Sequence, residues 1–266
     1  MEPDSDVLVV IPSWNEASSV AAVVAEVHAA APKVHVLVVD DASSDATGAL
    51  ARQAGAAVVT NVFNLGVGGA MRVGFRYAAA RGYRALVQVD GDGQHDPHDL
   101  PRLLAPMENG ASPMVVIGAR FAGEGKYDVP PARRWAMRLL AAYLSRTTHV
   151  HLTDVTSGFR AHNRAAIELF ARTYPADYLA DTVESLVIAA QAGGVVMQVP
   201  VAMRSRLGGS PSRSATSGTV SQSPTIASAW RSICTTSGEF STMSLPPNTP
   251  EQEPAPDAAI GCPHAT

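Results

Sequence analysis

Cysteine is nearly absent from this 266-residue chain: only Cys234 and Cys262 occur, both in a polar C-terminal stretch. That excludes a disulfide framework and a CxxC metal or redox centre. Long apolar runs are missing too, since nowhere do about 20 hydrophobic residues follow one another. The N-terminal MEPDSDVLVV is acidic where a secretory leader would be basic. These features predict a cytoplasmic protein, or one held peripherally on a membrane. Nor is there a basic excess: 20 Lys and Arg stand against 24 Asp and Glu, a formal net charge of −4. A chain so charged lacks the basic stripe that follows a phosphate backbone, so nucleic acid is not an expected partner. Its length suffices for one large α/β domain with a real core, or for a domain plus an extension.

What the sequence does contain is a regular alternation. Apolar, β-branched runs stand at VLVVI (7–11), VHVLVV (34–39), AAVVT (56–60), ALVQV (85–89), MVVIG (114–118) and VVMQVPV (195–201). Between the first two, Val20, Val23, Val24 and Val27 recur at helical spacing after Ser18 and Ser19, which can cap a helix. Ser43 or Ser44 can cap a second helix that stops near Gly55, and Asp96 followed by Pro97 makes an N-cap and N1 pair. Strands that are apolar throughout, rather than alternating, are buried on both faces. The pattern therefore predicts a largely parallel sheet flanked by helices on both sides. Ligands of such sheets bind outside the carboxyl ends of the strands. PSWNE, DDASSDAT and DGDGQHD then fall along one rim.

That rim gathers Asp40, Asp41, Asp90 and Asp92. Such a cluster repels itself unless hydrogen-bond donors or a cation are present, and Mg²⁺ or Mn²⁺ suits oxygen ligands while leaving positions open for phosphates. The bland alternative is a solvated GDG turn. An EF-hand loop fails, because His95 stands where the glycine is required and Pro101 where the bidentate Glu belongs. The glycine-rich NLGVGGAMRVG is a poor dinucleotide fingerprint: Met71 takes the third glycine position, and the segment follows the third strand rather than the first. Its glycines serve either close helix packing or ligand contact.

Taken jointly, IPSWNE, VVDDASSDAT, NLGVGGA, VDGDGQHDP, GAR and DVTSGFR resemble the inverting glycosyltransferases of family 2. The resemblance is to the branch of dolichyl- and polyprenyl-phosphate sugar synthases and covers roughly residues 6–212. It implies a GT-A, Rossmann-like domain over 1–212, a GDP- or UDP-hexose donor, Mg²⁺ or Mn²⁺, and a lipid phosphate acceptor at the membrane surface. By position it implies donor contacts from Pro12, Trp14 and Glu16, with Trp14 where Tyr is usual in the family. Val39 and Asp41 correspond to base and ribose contacts. Asp90, Asp92 and Gln94 match the metal and diphosphate group, with Gly91 between the two acids. Arg120, Arg133, Arg134 and Arg206 match phosphate-neutralising arginines. Ser157 and Arg160 fall in the loop beside acceptor or diphosphate.

Asp92 and Arg120 carry the leaving-group chemistry in this reading. A lipid phosphate is already an anionic nucleophile and needs positioning more than deprotonation. A hydroxyl acceptor would instead require a carboxylate base, for which Asp181 or Glu184 is the candidate. Each role has a structural competitor: core packing for Trp14, helix capping for Asp41 and Asp181, and packing by Phe159 in the TSGFR loop. A sugar-nucleotide-binding protein without turnover is the reading from another class. Trp135, Leu139 and Tyr143 form an apolar stripe among Arg133, Arg134, Arg138 and Arg146, which suits either a membrane surface or a protein core. Residues 213–266 are rich in Ser, Thr and Pro, and are predicted to be disordered.

Overall fold

The computed structural model describes residues 6–108, 112–119, 154–175 and 180–207, with backbone alone at 180 and 181. Among the described residues seven strands form one sheet: β1 (Val7–Ser13), β2 (His35–Asp40), β3 (Ala57–Thr60), β4 (Ala85–Gln88), β5 (Val115–Ala119), β6 (Arg160–Asn163) and β7 (Val196–Pro200). Their order across the sheet is β3-β2-β1-β4-β6-β5-β7. All six apolar runs are strands. The exception is β6, a polar RAHN that pairs antiparallel with both β4 and β5. The sheet is thus mostly parallel, with one reversed strand in its interior.

The helices are α1 (Val20–Ala30), α2 (Thr47–Gln53), α3 (Gly66–Arg81), α4 (Leu100–Glu108), α5 (Arg164–Thr173) and α6 (Ala180–Gln191). Alternation along β1 divides the core. Leu8 and Val10 face a cluster with Met71 and Phe75 of α3, Ile167 and Phe170 of α5, and Leu186 of α6. Val9 and Ile11 face another with Val20, Val23, Val24 and Val27 of α1, Ala51 of α2, and Leu100 and Leu103 of α4. Each of those α1 valines is at most 1% exposed; such burial contributes about 2 kcal/mol per side chain before entropy is counted.

Capping follows a different plan from the one the serines suggest. Ser19 stands at the N-cap of α1 without a capping bond; its Oγ–H donates to Gly91 O at 2.7 Å. Ahead of α2, it is Asp45 that accepts from the Thr47 backbone N–H at 2.9 Å. Ser43 N–H and Ser44 N–H donate instead to Asp40 Oδ1 and Asn15 Oδ1. Asp96 does cap the short 3₁₀ turn Pro97–Asp99, accepting from His98 N–H. Among the described residues no helix is long and apolar enough to cross a membrane. The 133–146 stripe and the 213–266 tail lie outside the described residues.

From β1 the chain winds outward through β2 to β3, then crosses back to place β4 on the other side of β1. Strand order reverses there, so a cleft opens outside the carboxyl ends of β1 and β4.

Candidate functional site

A cavity of about 560 Å³ occupies that cleft. The end of β1 supplies Pro12, Ser13 and Trp14, and the following loop supplies Glu16. Asp90, Gly91 and Asp92 enter from the loop after β4, Gly158 and Arg160 from the start of β6, and Arg206 from the segment after β7. Trp14 is 45% exposed; it lines the cavity rather than the core.

The loop after β4 is organised by its own backbone. Gln94 N–H donates to Asp92 Oδ1 at 2.9 Å, which turns the chain sharply at Gly93 (φ 77°). Gly91 is tightly packed, since a Cβ there would stand 2.7 Å from Ser13 Oγ. Residues 201–207 strap over this loop: Arg204 N–H donates to Gln94 O and Leu207 N–H to Asp92 O, both at 2.9 Å. The strap carries Arg206 between two acids, 2.8 Å from Asp92 Oδ2 and 3.3 Å from Glu16 Oε1.

Electrostatically the cavity is over-supplied with carboxylates: Glu16, Asp41, Asp90 and Asp92 line it against Arg160 and Arg206. Burial, reinforced by the charge of Asp90, raises the Asp92 carboxyl above its ordinary range even with Arg206 beside it. Burial likewise raises Glu16, against the hydrogen bond from Ser19 and the charge of Arg206. A cation or a set of donors arriving in the cavity would relieve both.

Several of the expected residues have partners of their own within the protein. Asp40 and Asp41 point apart, as adjacent residues must at the end of a strand. Asp40 accepts from Ser43 N–H near α2. Asp41 borders the cavity, yet its carboxylate holds the start of α3: Leu65 N–H and Gly66 N–H donate to it at 2.9 and 2.7 Å, and Asn61 Nδ2 at 2.7 Å. The four-acid cluster is therefore a group around Asp90 and Asp92, with Asp40 outside it. Val39 is fully buried in the core on the α3 face. Gln94 serves through its backbone, and its side chain is not part of the lining. Ser157 is buried off the cavity, its Oγ accepting from Phe159 N–H. Arg160 is 1% exposed, with its guanidinium donating to the carbonyls of Ser157, Thr182 and Val155 at 2.7–2.8 Å. It buttresses the wall that ends in Gly158. Arg120, Arg133, Arg134 and the Asp181 side chain lie outside the described residues. Glu184 on α6 is exposed and is not among the cavity-lining residues.

Sequence reasoning missed Ser13, Asn64, Gln88, Thr156, Tyr174 and Thr182, all of which line the cavity. Only Asn64, Ser13 and Thr156 carried a signal, as the neighbours of glycines or acids in the motifs. Tyr174 lies just past a helix with nothing local to mark it.

Asp90 and Asp92 suit a hard divalent ion. Among the described residues no three His, Cys, Asp or Glu side chains make a complete metal cage. Two carboxylates with open positions fit a cation that takes its remaining oxygens from a diphosphate and water.

The family model of glycosyl transferase family 2 matches residues 8–170. The chain belongs to that family. The polyprenol monophosphomannose synthase of Mycolicibacterium smegmatis is 38% identical over 175 residues, 63% of this chain and 65% of that protein. The undecaprenyl-phosphate mannosyltransferase of Micrococcus luteus is 38% identical over 162 residues, 59% of this chain and 65% of that protein. The chain thus spans about 65% of the length of these curated relatives. An uncharacterised glycosyltransferase of Mycobacterium tuberculosis is 32% identical, over 76% of this chain and 87% of its own. Among solved structures, glucosyl-3-phosphoglycerate synthase from Mycobacterium tuberculosis, in complex with Mn²⁺, UDP-glucose and phosphoglyceric acid, superimposes with a TM-score of 0.59 at 21% identity. It covers 77% of this chain and 73% of that one. That likeness is one of fold, and it is the GT-A fold that the motifs imply.

Proposed function

We propose that this protein is an inverting glycosyltransferase that moves a hexose, mannose or glucose, from a GDP- or UDP-sugar to a polyprenyl phosphate, with Mg²⁺ or Mn²⁺ as cofactor. One observation carries the reading: Asp90, Asp92, Trp14 and Arg206 line a single cavity, in a chain 38% identical to two enzymes named for polyprenyl-phosphate mannose synthesis.

In this mechanism an oxygen of the lipid phosphate attacks the anomeric carbon on the face opposite the nucleotide. The bond to the nucleoside diphosphate breaks, the diphosphate leaves with the electron pair, and the configuration inverts. Asp90 and Asp92 are the residues that would hold a divalent cation, which would supply electrophilic stabilisation of the leaving diphosphate. Arg206 adds a second, fixed positive charge on the same side, its fork matched to phosphate oxygens. Trp14 offers an exposed ring against which the nucleobase packs. The anionic acceptor needs no base to deprotonate it, so this route leaves Asp181 and Glu184 dispensable. Because the acceptor is an amphiphile, the protein works at a membrane surface.

Isothermal titration of GDP and UDP, each with and without Mn²⁺, tests the donor half on wild type and Asp92→Ala. The expected result is metal-dependent binding of one nucleotide, lost in the variant. The matching sugar nucleotide is then offered polyprenyl phosphate, polyprenol and no acceptor. Sugar passing to the phosphate alone supports the proposal. Transfer to the hydroxyl alone would replace the acceptor, and no binding of either nucleotide would overturn the reading.

A further inference from the structure

His95 follows the acidic turn and is 3% exposed, which is unusual for a residue so close to an open cavity. Its ring is fixed from several directions. Asp90 N–H donates to Nδ1 at 3.1 Å, so Nδ1 carries no proton and the ring proton sits on Nε2. Phe159 stacks on the ring with centroids 4.9 Å apart and planes 12° from parallel. Behind it, the His95 backbone bridges to Met203 of the strap. Nε2 is thereby aimed at Asp90 Oδ2, 3.6 Å away, within charge–dipole reach though longer than a full hydrogen bond.

Asp90 has a further donor within reach. Gln88 Nε2 donates to Oδ1 at 3.3 Å. A Cβ on Gly158 would stand 3.2 Å from both carboxylate oxygens, so the glycine lets the chain leading into β6 close against them. The Asp90 side chain, 37% exposed, thus lines the cavity with protein groups close against its carboxylate.

We propose that His95 is a positioning residue: its Nε2–H holds the Asp90 carboxylate in the orientation that takes up the divalent cation of a metal–nucleotide complex. This rests on the donor-site reading given above. Ligands of metals are commonly oriented by such outer contacts, whose loss costs about 10- to 100-fold in metal affinity.

The test uses the full chain with GDP or UDP and Mn²⁺ as probes. His95→Asn keeps an oxygen near the Nδ1 position, able to accept from Asp90 N–H, but removes the Nε2–H. His95→Gln brings an amide near the Nε2 position. Mn²⁺ affinity is measured by titration in the presence of saturating nucleotide, together with the melting temperature. His95→Asn is expected to weaken Mn²⁺ by roughly 10-fold, with nucleotide affinity without metal unchanged, and His95→Gln to recover part of the loss. In an Asp90→Asn background His95→Asn should add nothing, since the histidine acts through that carboxylate. Unchanged Mn²⁺ affinity in His95→Asn overturns the inference. So do losses that add in the double variant, which is also how a merely structural role would show itself if His95→Asn melts early. If wild type binds neither nucleotide nor Mn²⁺, the donor-site reading falls and this inference with it.

Discussion

His162 lies in β6 in the interior of the sheet and is 1% exposed, and it should make the protein acid-sensitive in a way that one substitution removes. Its ring meets Phe75 and Phe170 edge-on, with centroids 5.0 and 5.7 Å away. Among the described residues its Nδ1 has no hydrogen-bond partner. Burial, and then the charge of Arg160, push its pKa from 6.5 down to about 3, against a hydrogen bond to the Leu86 backbone. The ring is therefore neutral in the fold, and an unfolded chain binds the proton more readily. Stability from this group is whole above pH 6.5 and is lost as pH falls toward 3, by up to about 1.4 kcal/mol per pH unit. Near pH 5 the loss amounts to about 2 kcal/mol, and near pH 7.5 to almost none. Denaturant unfolding of wild type and His162→Leu at both pH values isolates the effect. Carboxylates that titrate in both proteins cancel in the difference. The stability gap between the two should move by about 2 kcal/mol in favour of the variant on acidification. A gap that is the same at both pH values refutes the reasoning.

Gly91→Ala would drive a Cβ to 2.7 Å from Ser13 Oγ, costing about 1–3 kcal/mol of stability; adding Ser13→Ala should restore most of the lost melting temperature. Arg206→Ala removes the cation shared by Asp92 and Glu16 and should weaken nucleotide binding in Mn²⁺ by roughly 10- to 100-fold, with Arg206→Lys recovering only part. Asp41→Asn replaces the carboxylate that receives the first N–H groups of α3 and should lower stability by about 1–2 kcal/mol in a thermal melt.

The parallel strands were legible because burial on both faces leaves little choice of residue. Leu8 to Ile11 are at most 1% exposed, and so the sequence there is apolar without interruption. β6 escaped notice for the opposite reason. Its four residues RAHN would be expensive in a sheet interior if left unpaired. They survive there because Arg160 spends its donors on three neighbouring carbonyls. His162 stays uncharged, and Asn163 turns outward to cap α5 through Ala166 N–H. The cap at Asn163 and the bonds of Arg160 to Ser157 and Val155 are local, but the partners Thr182 and Phe75 come from other parts of the chain and no short window shows them.

The same distinction runs through the site. Residues whose backbone fixes where they point, such as Trp14 at the end of β1 and Asp90 and Asp92 after β4, line the cavity because strand ends at a topological switch leave no other place for them. Residues whose duty depends on a partner distant in sequence keep a second role that the motif alone does not decide. Asp41 looks like a ligand contact in DDASSDAT, but the donors of Leu65 and Gly66 lie 24 and 25 residues away. Asp41 thus ties β2 to the glycine-rich turn that opens α3, and the two motifs, which look independent in the sequence, form one wall of the cavity. That coupling explains why a carboxylate belongs at position 41 whatever occupies the cavity: the first N–H groups of α3 need an acceptor there before any ligand arrives.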